Sequence, residues 1–179
     1  MINYLEEILY DIGKFLLHRR SKGSIYGVWQ GNQLKTDTDI AVEKLILDAL
    51  GKLPAIFPVV SEEDSASHKK SRYPRYWLVD PIDGTASYSE GFQGFVSQIA
   101  LMEKSQPVVA AVYAPALNRM YLAERGGGTT LNGVKISVAP DDLGKIILTD
   151  NYPKPRGIAK KLYRQLSCYG YLESGSIGL

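Results

Sequence analysis

Apolar residues recur at helical spacing in two stretches near the start of the chain. The first set comprises Ile2, Leu5, Ile8, Leu9, Ile12, Phe15 and Leu16, and the second comprises Val42, Leu45, Ile46, Ala49, Leu50 and Leu53. Intervals of three and four residues place these side chains on one face and predict two amphipathic helices. The first would end in the basic run His18-Arg19-Arg20, which suits the helix dipole, and the second at Gly51 or Pro54. A loop is predicted between them.

Short apolar and alternating runs separated by turn residues follow the second helix. They predict strands at 57–60, 76–79, 95–102, 108–113 and 120–124, and then a hairpin that turns at Asn132-Gly133. Two helices followed by a run of antiparallel strands predict an α+β layered sandwich. Beyond 140–142, a strand at 145–149, a helix at 155–166 and a strand at 167–172 predict the beginning of a second α/β unit. We therefore expect an N-terminal domain at 1–140 and part of a C-terminal domain at 141–179.

The segment Asp80-Pro81-Ile82-Asp83-Gly84-Thr85 places two carboxylates, a free carbonyl and a hydroxyl on one sharp turn. Pro81 is expected to end the preceding strand, because proline has no N–H to donate to a sheet. Gly84 allows a backbone turn that other residues avoid, so Thr85 can open a short helix whose free N–H groups attract phosphate. These oxygen ligands, without a Cys or His cluster, favour Mg²⁺ or Mn²⁺ over zinc. A solvated turn is the alternative, because Asp-Pro and Asp-Gly are common turn formers.

Two other acidic positions favour the cation site over the solvated turn. Glu62 follows the strand at 57–60, so Glu62 and Asp80 would emerge at one edge of the sheet if their strands are parallel neighbours. An acidic surface loop is the alternative for Glu62. Asp39 lies at the start of the second helix, where an N-cap is the usual role of an aspartate. The two roles are compatible, because a side chain fixed at a helix start is rigidly aimed.

Composition and charge narrow the possible functions. The formal net charge of +2 is too small to predict binding to a nucleic acid polymer, and the basic run His68-Lys69-Lys70 with Arg72 is expected to be a solvated loop. No run approaches the ~20 apolar residues of a membrane span. Cys168 is the single cysteine, expected in the core, so the chain has no internal disulfide framework. Because acidic residues also interrupt any signal-like apolar region at the start, we predict a cytoplasmic protein.

Together these segments resemble the inositol monophosphatase family, the magnesium-dependent, lithium-sensitive phosphomonoesterases that include the 3′(2′),5′-bisphosphate nucleotidases. The resemblance covers nearly the whole chain in order. The motifs that carry it are Val60-Ser61-Glu62-Glu63, 77–85, Gly91-Phe92, 95–101, 107–115, Tyr121-Leu122-Ala123, Gly126-Gly127-Gly128 and Leu131-Asn132-Gly133. The fold that the resemblance implies is the layered αβαβα sugar-phosphatase fold.

The resemblance also implies a metal site. Glu62, Asp80 and the carbonyl of Ile82 are similar to ligands of a first Mg²⁺, and Asp80 would bridge to a second ion held by Asp83. The family uses two or three such ions, and a pair of ions can activate a water on one side and neutralise the leaving alkoxide on the other.

The implied catalytic residues are Asp39, Thr85 and Glu62. Asp39 and Thr85 resemble the family pair that orients and deprotonates the attacking water, and the amides of Gly84 and Thr85 would hold the substrate phosphate. The implied substrate is a small phosphate monoester, with inositol monophosphate preferred and a nucleotide 3′-phosphate as the alternative. The implied assembly is a homodimer, with neither a membrane nor a nucleic acid polymer as partner.

The chain departs from the family pattern in two places. Family members continue to a Trp-Asp pair that supplies a carboxylate to the second ion, and no such pair follows the matched region in these 179 residues. We therefore expect a fragment or truncated product that holds the first ion and binds the second poorly. The rival function is a non-catalytic fragment that keeps the fold and one cation. The second departure is at 27–34, where the family's lysine is missing; Lys35 would replace it only if it is not simply solvated.

Overall fold

The fold is built on a seven-stranded, mostly antiparallel sheet with two long helices on one face. The computed structural model describes residues 1–23, 25–31, 33–68, 73–138, 145–150 and 154–173, and all bounds refer to these ranges. The helices are α1 Ile2–Ser21, α2 Asp37–Leu50, α3 Ser65–His68, α4 Thr85–Ser89 and α5 Gly157–Gln165. The strands are β1 Gly27–Gln30, β2 Gln33–Thr36, β3 Val59–Ser61, β4 Arg75–Asp83, β5 Val96–Glu103, β6 Gln106–Ala114, β7 Arg119–Glu124, β8 Gly128–Leu131, β9 Val134–Ile136, β10 Ile147–Asp150 and β11 Gly170–Glu173. The predicted α+β class is confirmed.

The main sheet follows chain order from β3 to β9. β3 and β4 are parallel, and each later pair is antiparallel. The predicted hairpin turn at Asn132-Gly133 joins β8 to β9, with both residues at positive φ. The parallel pair at the start of the sheet places two acidic segments side by side.

The apolar faces of α1 and α2 form the core with this sheet, as the helical spacing predicts. The fully buried side chains of the two helices include Leu5, Leu9, Leu16, Val42 and Ile46. Gly13 allows α1 to approach β6 closely, because a Cβ at this position would lie 2.3 Å from Cε1 of Tyr113. Gly51 follows α2 as its C-cap, at the first of the two predicted ends.

The segment between α1 and α2 is a hairpin, whereas the sequence pattern predicted a loop. β1 and β2 pair in antiparallel register, with Gly27 opposite Thr36. Val28 and Trp29 are exposed, so the hairpin lacks the buried face by which a sequence pattern indicates a strand. The hairpin leads directly into α2 and therefore sets the start of that helix.

The last described part of the chain forms a small α/β unit, in which β10 and β11 are parallel and α5 lies between them in sequence. Cys168, predicted to lie in the core, is half-buried. The predicted boundary at 140–142 lies outside the described residues, as do Lys69, Lys70 and Arg72 of the basic run, so the division into two domains stays a prediction. Within the ranges given above, none of the helices has the length and apolarity needed to cross a membrane.

Candidate active site

Two parallel strands bring the first pair of predicted carboxylates together. β3 and β4 are neighbours with Ser61 opposite Val79, and the main-chain N–H of Glu62 donates to the Val79 carbonyl at 3.1 Å. Glu62 therefore lies next to Asp80, and the charge of Glu62 acts on the Asp80 carboxyl group. The condition on which the sequence argument depended, two neighbouring strands that run in the same sense, is met.

β4 continues through the acidic turn with an irregular register. Between Asp80 and Asp83 its pairing with β5 shifts by one residue, which is a β-bulge. The prediction that Pro81 ends the strand is therefore wrong. A bulge tolerates the missing N–H of proline, and the Ser97 hydroxyl donates to the Pro81 carbonyl at 2.6 Å. The bulge keeps the acidic turn attached to the sheet, so its side chains have fixed positions.

The turn after β4 has the predicted form. Gly84 has φ 86° and ψ 39°, in the left-handed region that favours glycine, and α4 begins at Thr85. Thr85 Oγ1 lies 2.9 Å from the carbonyl oxygen of Ile82 and 3.1 Å from Oδ1 of Asp39. One hydroxyl proton serves one of these acceptors at a time. Thr85 is therefore free to donate to Asp39 whenever another partner engages the Ile82 carbonyl.

The N-cap of α2 is Thr36, which corrects the N-cap role expected for Asp39. Asp39 is the third residue of the helix and reaches back, so that its Oδ2 accepts from the Thr36 main-chain N–H at 2.7 Å. This reciprocal arrangement is a capping box. The side chain of Asp39 is fully buried, and this burial raises the pKa of its carboxyl group above the ordinary value. Asp39 is thus both rigidly aimed and a stronger base than a solvated aspartate.

Asp80 occupies the most perturbed position of the site. Burial, followed by repulsion from Glu62, raises the pKa of Asp80 to about 8. Its Oδ2 accepts from Nε2 of Gln98 at 3.2 Å. Its Oδ1 is buried and has no hydrogen-bond partner among the residues that the structure describes. A buried carboxylate oxygen that lacks a partner beside a second acid is unfavourable unless a cation compensates it.

The donor set fits an oxygen-preferring divalent cation, although the described side chains do not close a cage. Glu62 and Asp80 meet, and the charge of Asp83 acts on both. Within the described ranges, no three acidic, His or Cys side chains stand close enough to form a ready-made metal centre. The arrangement therefore supplies two adjacent carboxylates and the nearby Ile82 carbonyl, with Asp83 as a further charge. Hard oxygen donors of this kind suit Mg²⁺.

Two further polar side chains lie at the site: Gln98, which the sequence did not indicate, and Lys35, whose role the sequence left open. Gln98 contacts Asp80 because the antiparallel register of β4 and β5 places the two residues opposite each other. Lys35 is not simply solvated, since its Nζ lies 2.5 Å from Oε2 of Glu63 and donates to the Glu63 carbonyl at 3.1 Å. The hydrogen bond to the Glu63 side chain raises the pKa of Lys35. The ion pair ties the hairpin before α2 to the segment that carries Glu62.

A cavity of about 420 Å³ lies beside the paired carboxylates, along strands β4 to β6 of the sheet. Its polar lining comes from Glu62, Asp80 and Gln98, and its apolar lining includes Leu78 and Val112. Glu62, Asp80 and Gln98 therefore form the polar part of a cavity that is otherwise lined by apolar side chains of the sheet.

Comparison with known proteins identifies the family to which the chain is similar. The sequence model described as the inositol monophosphatase family matches residues 2–168. The 3′(2′),5′-bisphosphate nucleotidase CysQ of Salmonella typhimurium is 41% identical over 102 residues, which cover 56% of this chain and 42% of that protein. An inositol monophosphatase of Dictyostelium discoideum is 34% identical over 149 residues, which cover 81% of this chain and 54% of that protein. The chain thus spans about half the length of these relatives.

Solved structures share the fold. The extragenic suppressor protein SuhB of Bartonella henselae superposes with a TM-score of 0.81 at 22% identity, covering 98% of this chain and 70% of that one. An IMPase/NADP phosphatase complexed with Mg²⁺ and phosphate superposes with a TM-score of 0.75 at 21% identity, covering 94% of this chain and 64% of that one. Because the family model matches nearly the whole sequence, the chain belongs to the inositol monophosphatase family.

Proposed function

We propose that this chain carries the metal and catalytic residues of a Mg²⁺-dependent phosphomonoesterase. The observation that carries the proposal is the buried Oδ1 of Asp80 beside Glu62, which has no hydrogen-bond partner within the described part of the chain. The hydrogen-bonded pair Asp39 and Thr85 lies next to the same turn. Glu62 and Asp80 are suited to bind a cation, whereas Asp39 and Thr85 are arranged for proton transfer. Phosphoryl transfer requires this combination of charge neutralisation and an oriented water, without a covalent nucleophile.

The metal ligands we propose are Glu62, Asp80 and the Ile82 carbonyl for a first ion, with Asp80 and Asp83 for a second. When bound, Mg²⁺ supplies Lewis-acid stabilisation of the phosphoryl oxygens and lowers the pKa of a coordinated water. The acidic residues of the chain hold this charge beside the ester. The IMPase/NADP phosphatase of the same fold that was solved with Mg²⁺ and phosphate supports this choice of ion.

The proton of the attacking water would leave through Thr85 and Asp39. Thr85 Oγ1 donates to Oδ1 of Asp39 and so keeps a lone pair that can accept from the water. Burial raises the pKa of Asp39, which brings it nearer to the value that suits a general base at neutral pH. Glu62 completes the catalytic set, since its charge and that of Asp39 interact across the same space.

The phosphate would be held by the main-chain N–H groups of Gly84 and Thr85. The left-handed conformation of Gly84 ends β4 and directs the chain into α4, which leaves these first N–H groups without intrahelical acceptors. A phosphate held at this turn would lie next to the proposed metal ligands of β4, where a bound cation would offset its repulsion from their carboxylates.

The proposed substrate is inositol monophosphate, with a nucleotide 3′-phosphate as the alternative. Similarity to the Dictyostelium inositol monophosphatase supports the first and similarity to CysQ supports the second. In the sequence, Asp83 to Phe92 resembles the inositol branch, whereas 59–63 and 112–116 resemble the nucleotidase branch. We further propose a homodimer, which light scattering on the purified chain would test.

Phosphate release measured in parallel on inositol 1-phosphate and adenosine 3′,5′-bisphosphate tests the function. We expect turnover of at least one ester with Mg²⁺ and none in EDTA. Full activity in EDTA would overturn the proposal. A chain that Mg²⁺ stabilises against heat but that releases no phosphate from either ester would establish the rival function, a fragment with one cation site and no catalysis.

A further inference from the structure

The two carboxylate oxygens of Asp39 have separate partners. Oδ1 faces the hydroxyl of Thr85 at 3.1 Å, and Oδ2 accepts twice from Thr36, from its N–H at 2.7 Å and from its hydroxyl at 2.5 Å. Both Thr36 and Asp39 are buried, at 2% and 0% exposure, so water does not replace these bonds. The orientation of the proposed base therefore depends on Thr36.

The proton of the Thr36 hydroxyl has one available direction. Its oxygen already accepts from the main-chain N–H groups of Thr38 and Asp39, at 3.2 and 3.3 Å. With both lone pairs used, the single O–H proton points to Oδ2 of Asp39. Oδ2 is thereby fully engaged, and Oδ1 is the oxygen left to take a proton from Thr85.

Thr36 is itself held in place from the hairpin side. It ends β2 opposite Gly27, and a Cβ at Gly27 would lie 2.9 Å from Cγ2 of Thr36, so β1 packs closely on the threonine methyl group. The next residue, Asp37, donates its N–H to the carbonyl of Tyr26 at 3.1 Å. The hairpin, Thr36 and Asp39 therefore form one rigid support for the oxygen that faces Thr85.

We propose that Thr36 is a positioning residue for the reaction, which directs Oδ1 of Asp39 toward Thr85 by occupying Oδ2. The inference rests on the proposed function, because it assigns Thr36 to the same proton path. A helix cap alone would need only the acceptor lone pairs of the hydroxyl. The positioning role needs its proton as well, and serine can supply both, whereas valine supplies neither.

The kinetic test compares Thr36→Ser, Thr36→Val and a matched control, Ile46→Val, which loosens the buried face of the same helix away from the site. For Thr36→Val we expect kcat to fall between about 10- and 100-fold with KM nearly unchanged, as for a misdirected catalytic group. Thr36→Ser should restore kcat to within about threefold. Ile46→Val should keep the wild-type kcat. Both Thr36→Val and Ile46→Val should lower the thermal midpoint, by about 2–4 °C for each kcal/mol of unfolding free energy that is lost.

Crystal structures of the wild type and Thr36→Val separate this inference from the proposed function. We expect the Asp39 carboxylate to rotate in the variant and its Oδ1 to leave hydrogen-bonding distance of Thr85 Oγ1. If the wild-type chain shows no turnover, the proposed function fails and the structures still decide the role of Thr36. An unchanged Asp39–Thr85 hydrogen bond in Thr36→Val, or a kcat no lower than that of Ile46→Val, would overturn the inference.

Discussion

Asp39 and Asp80 are two aspartates of the candidate site whose carboxyl groups have opposite hydrogen-bonding environments. Both oxygens of Asp39 are hydrogen-bonded, to Thr36 on one side and Thr85 on the other. Asp80 has one oxygen bonded to Gln98 and one buried without a partner in the described ranges, beside a second acid. The comparison separates two kinds of preorganisation. The Asp39 side is complete before any ligand arrives, whereas the charge of Asp80 must be compensated by a proton or, as we propose, by a cation.

The largest loss of activity should come from a substitution among the proposed metal ligands. Asp83→Asn keeps the shape of the side chain and removes one negative charge from the proposed binding site of the second ion. We expect phosphate release to fall roughly 1,000-fold, because metal stabilisation of the transition state contributes several kcal/mol. Circular dichroism should show an intact fold.

Asp11→Asn is the matched control for this charge change, because Asp11 is exposed on α1 and pairs only with Lys14 among the contacts described for it. The control should retain wild-type turnover. Equal activity of Asp83→Asn and Asp11→Asn would remove Asp83 from the metal site.

On the Asp39 side, Thr85→Ala removes the hydroxyl that we propose links the attacking water to Asp39. We expect kcat to fall roughly 100-fold, the lower range for a general-base contribution, while KM stays near its wild-type value. Steady-state kinetics on the preferred ester measure the two parameters separately. A change confined to KM would show that Thr85 binds substrate and does not orient the water.

The sequence predicted the acidic turn and the strand edge that carries it, because these depend on local chemistry. Gly84 is in the left-handed region, and the parallel pairing of β3 with β4 places Glu62 beside Asp80, which is the condition that the sequence argument required. Glycine and proline impose backbone restrictions that can be read from sequence alone. The exception is Pro81, which remains inside β4 because Ser97 of the neighbouring strand satisfies its carbonyl.

The supporting residues could not be predicted in the same way, since they depend on pairing between distant segments. In Thr36-Asp37-Thr38-Asp39 each of the four side chains is an acceptable N-cap, and only the position of the hairpin before α2 selects Thr36. Gln98 reaches Asp80 because of the register of two antiparallel strands, which is set by the whole sheet. The sequence therefore indicates the proposed reacting groups better than residues such as Thr36 and Gln98, which hold those groups in position.

Gln98→Leu is expected to have a smaller effect, which is a reduced affinity for Mg²⁺ at Asp80. The leucine removes the amide that orients Oδ2 of Asp80 and leaves the carboxylate in place. We expect Mg²⁺ affinity, measured by calorimetric titration, to fall about 10-fold, as is usual when a group behind a metal ligand is lost. Tyr121→Leu, at a partly buried position of β7 in the same sheet, is the control and should bind Mg²⁺ as the wild type does. An unchanged affinity in Gln98→Leu would show that Asp80 needs no orientation by its neighbour.

The pH dependence of stability without metal tests the same comparison without measuring catalysis. In the folded chain the pKa of Asp80 is about 8, against an ordinary value of 3.8. Between these values the folded state keeps a proton that the unfolded state has lost, so stability falls as pH rises and the loss is complete above the folded pKa. The raised pKa values of Glu62 and Asp39 act in the same direction.

Calorimetric scans in EDTA at pH 5 and pH 8 would measure this effect. We expect the thermal midpoint to be lower at pH 8, by about 2–4 °C for each kcal/mol lost. Asp80→Asn cannot ionise, so its midpoint should change less between the two pH values than that of the wild type or of Asp11→Asn. Mg²⁺ should raise the wild-type midpoint more at pH 8 than at pH 5, because it replaces the proton on Asp80 only where that proton is already weakly held. The contrary result would be a wild-type midpoint that rises from pH 5 to pH 8 in EDTA, with a parallel rise in Asp80→Asn. It would show that the Asp80 carboxylate, like that of Asp39, is stable in the folded chain without a cation, so that the two aspartates do not differ in this respect.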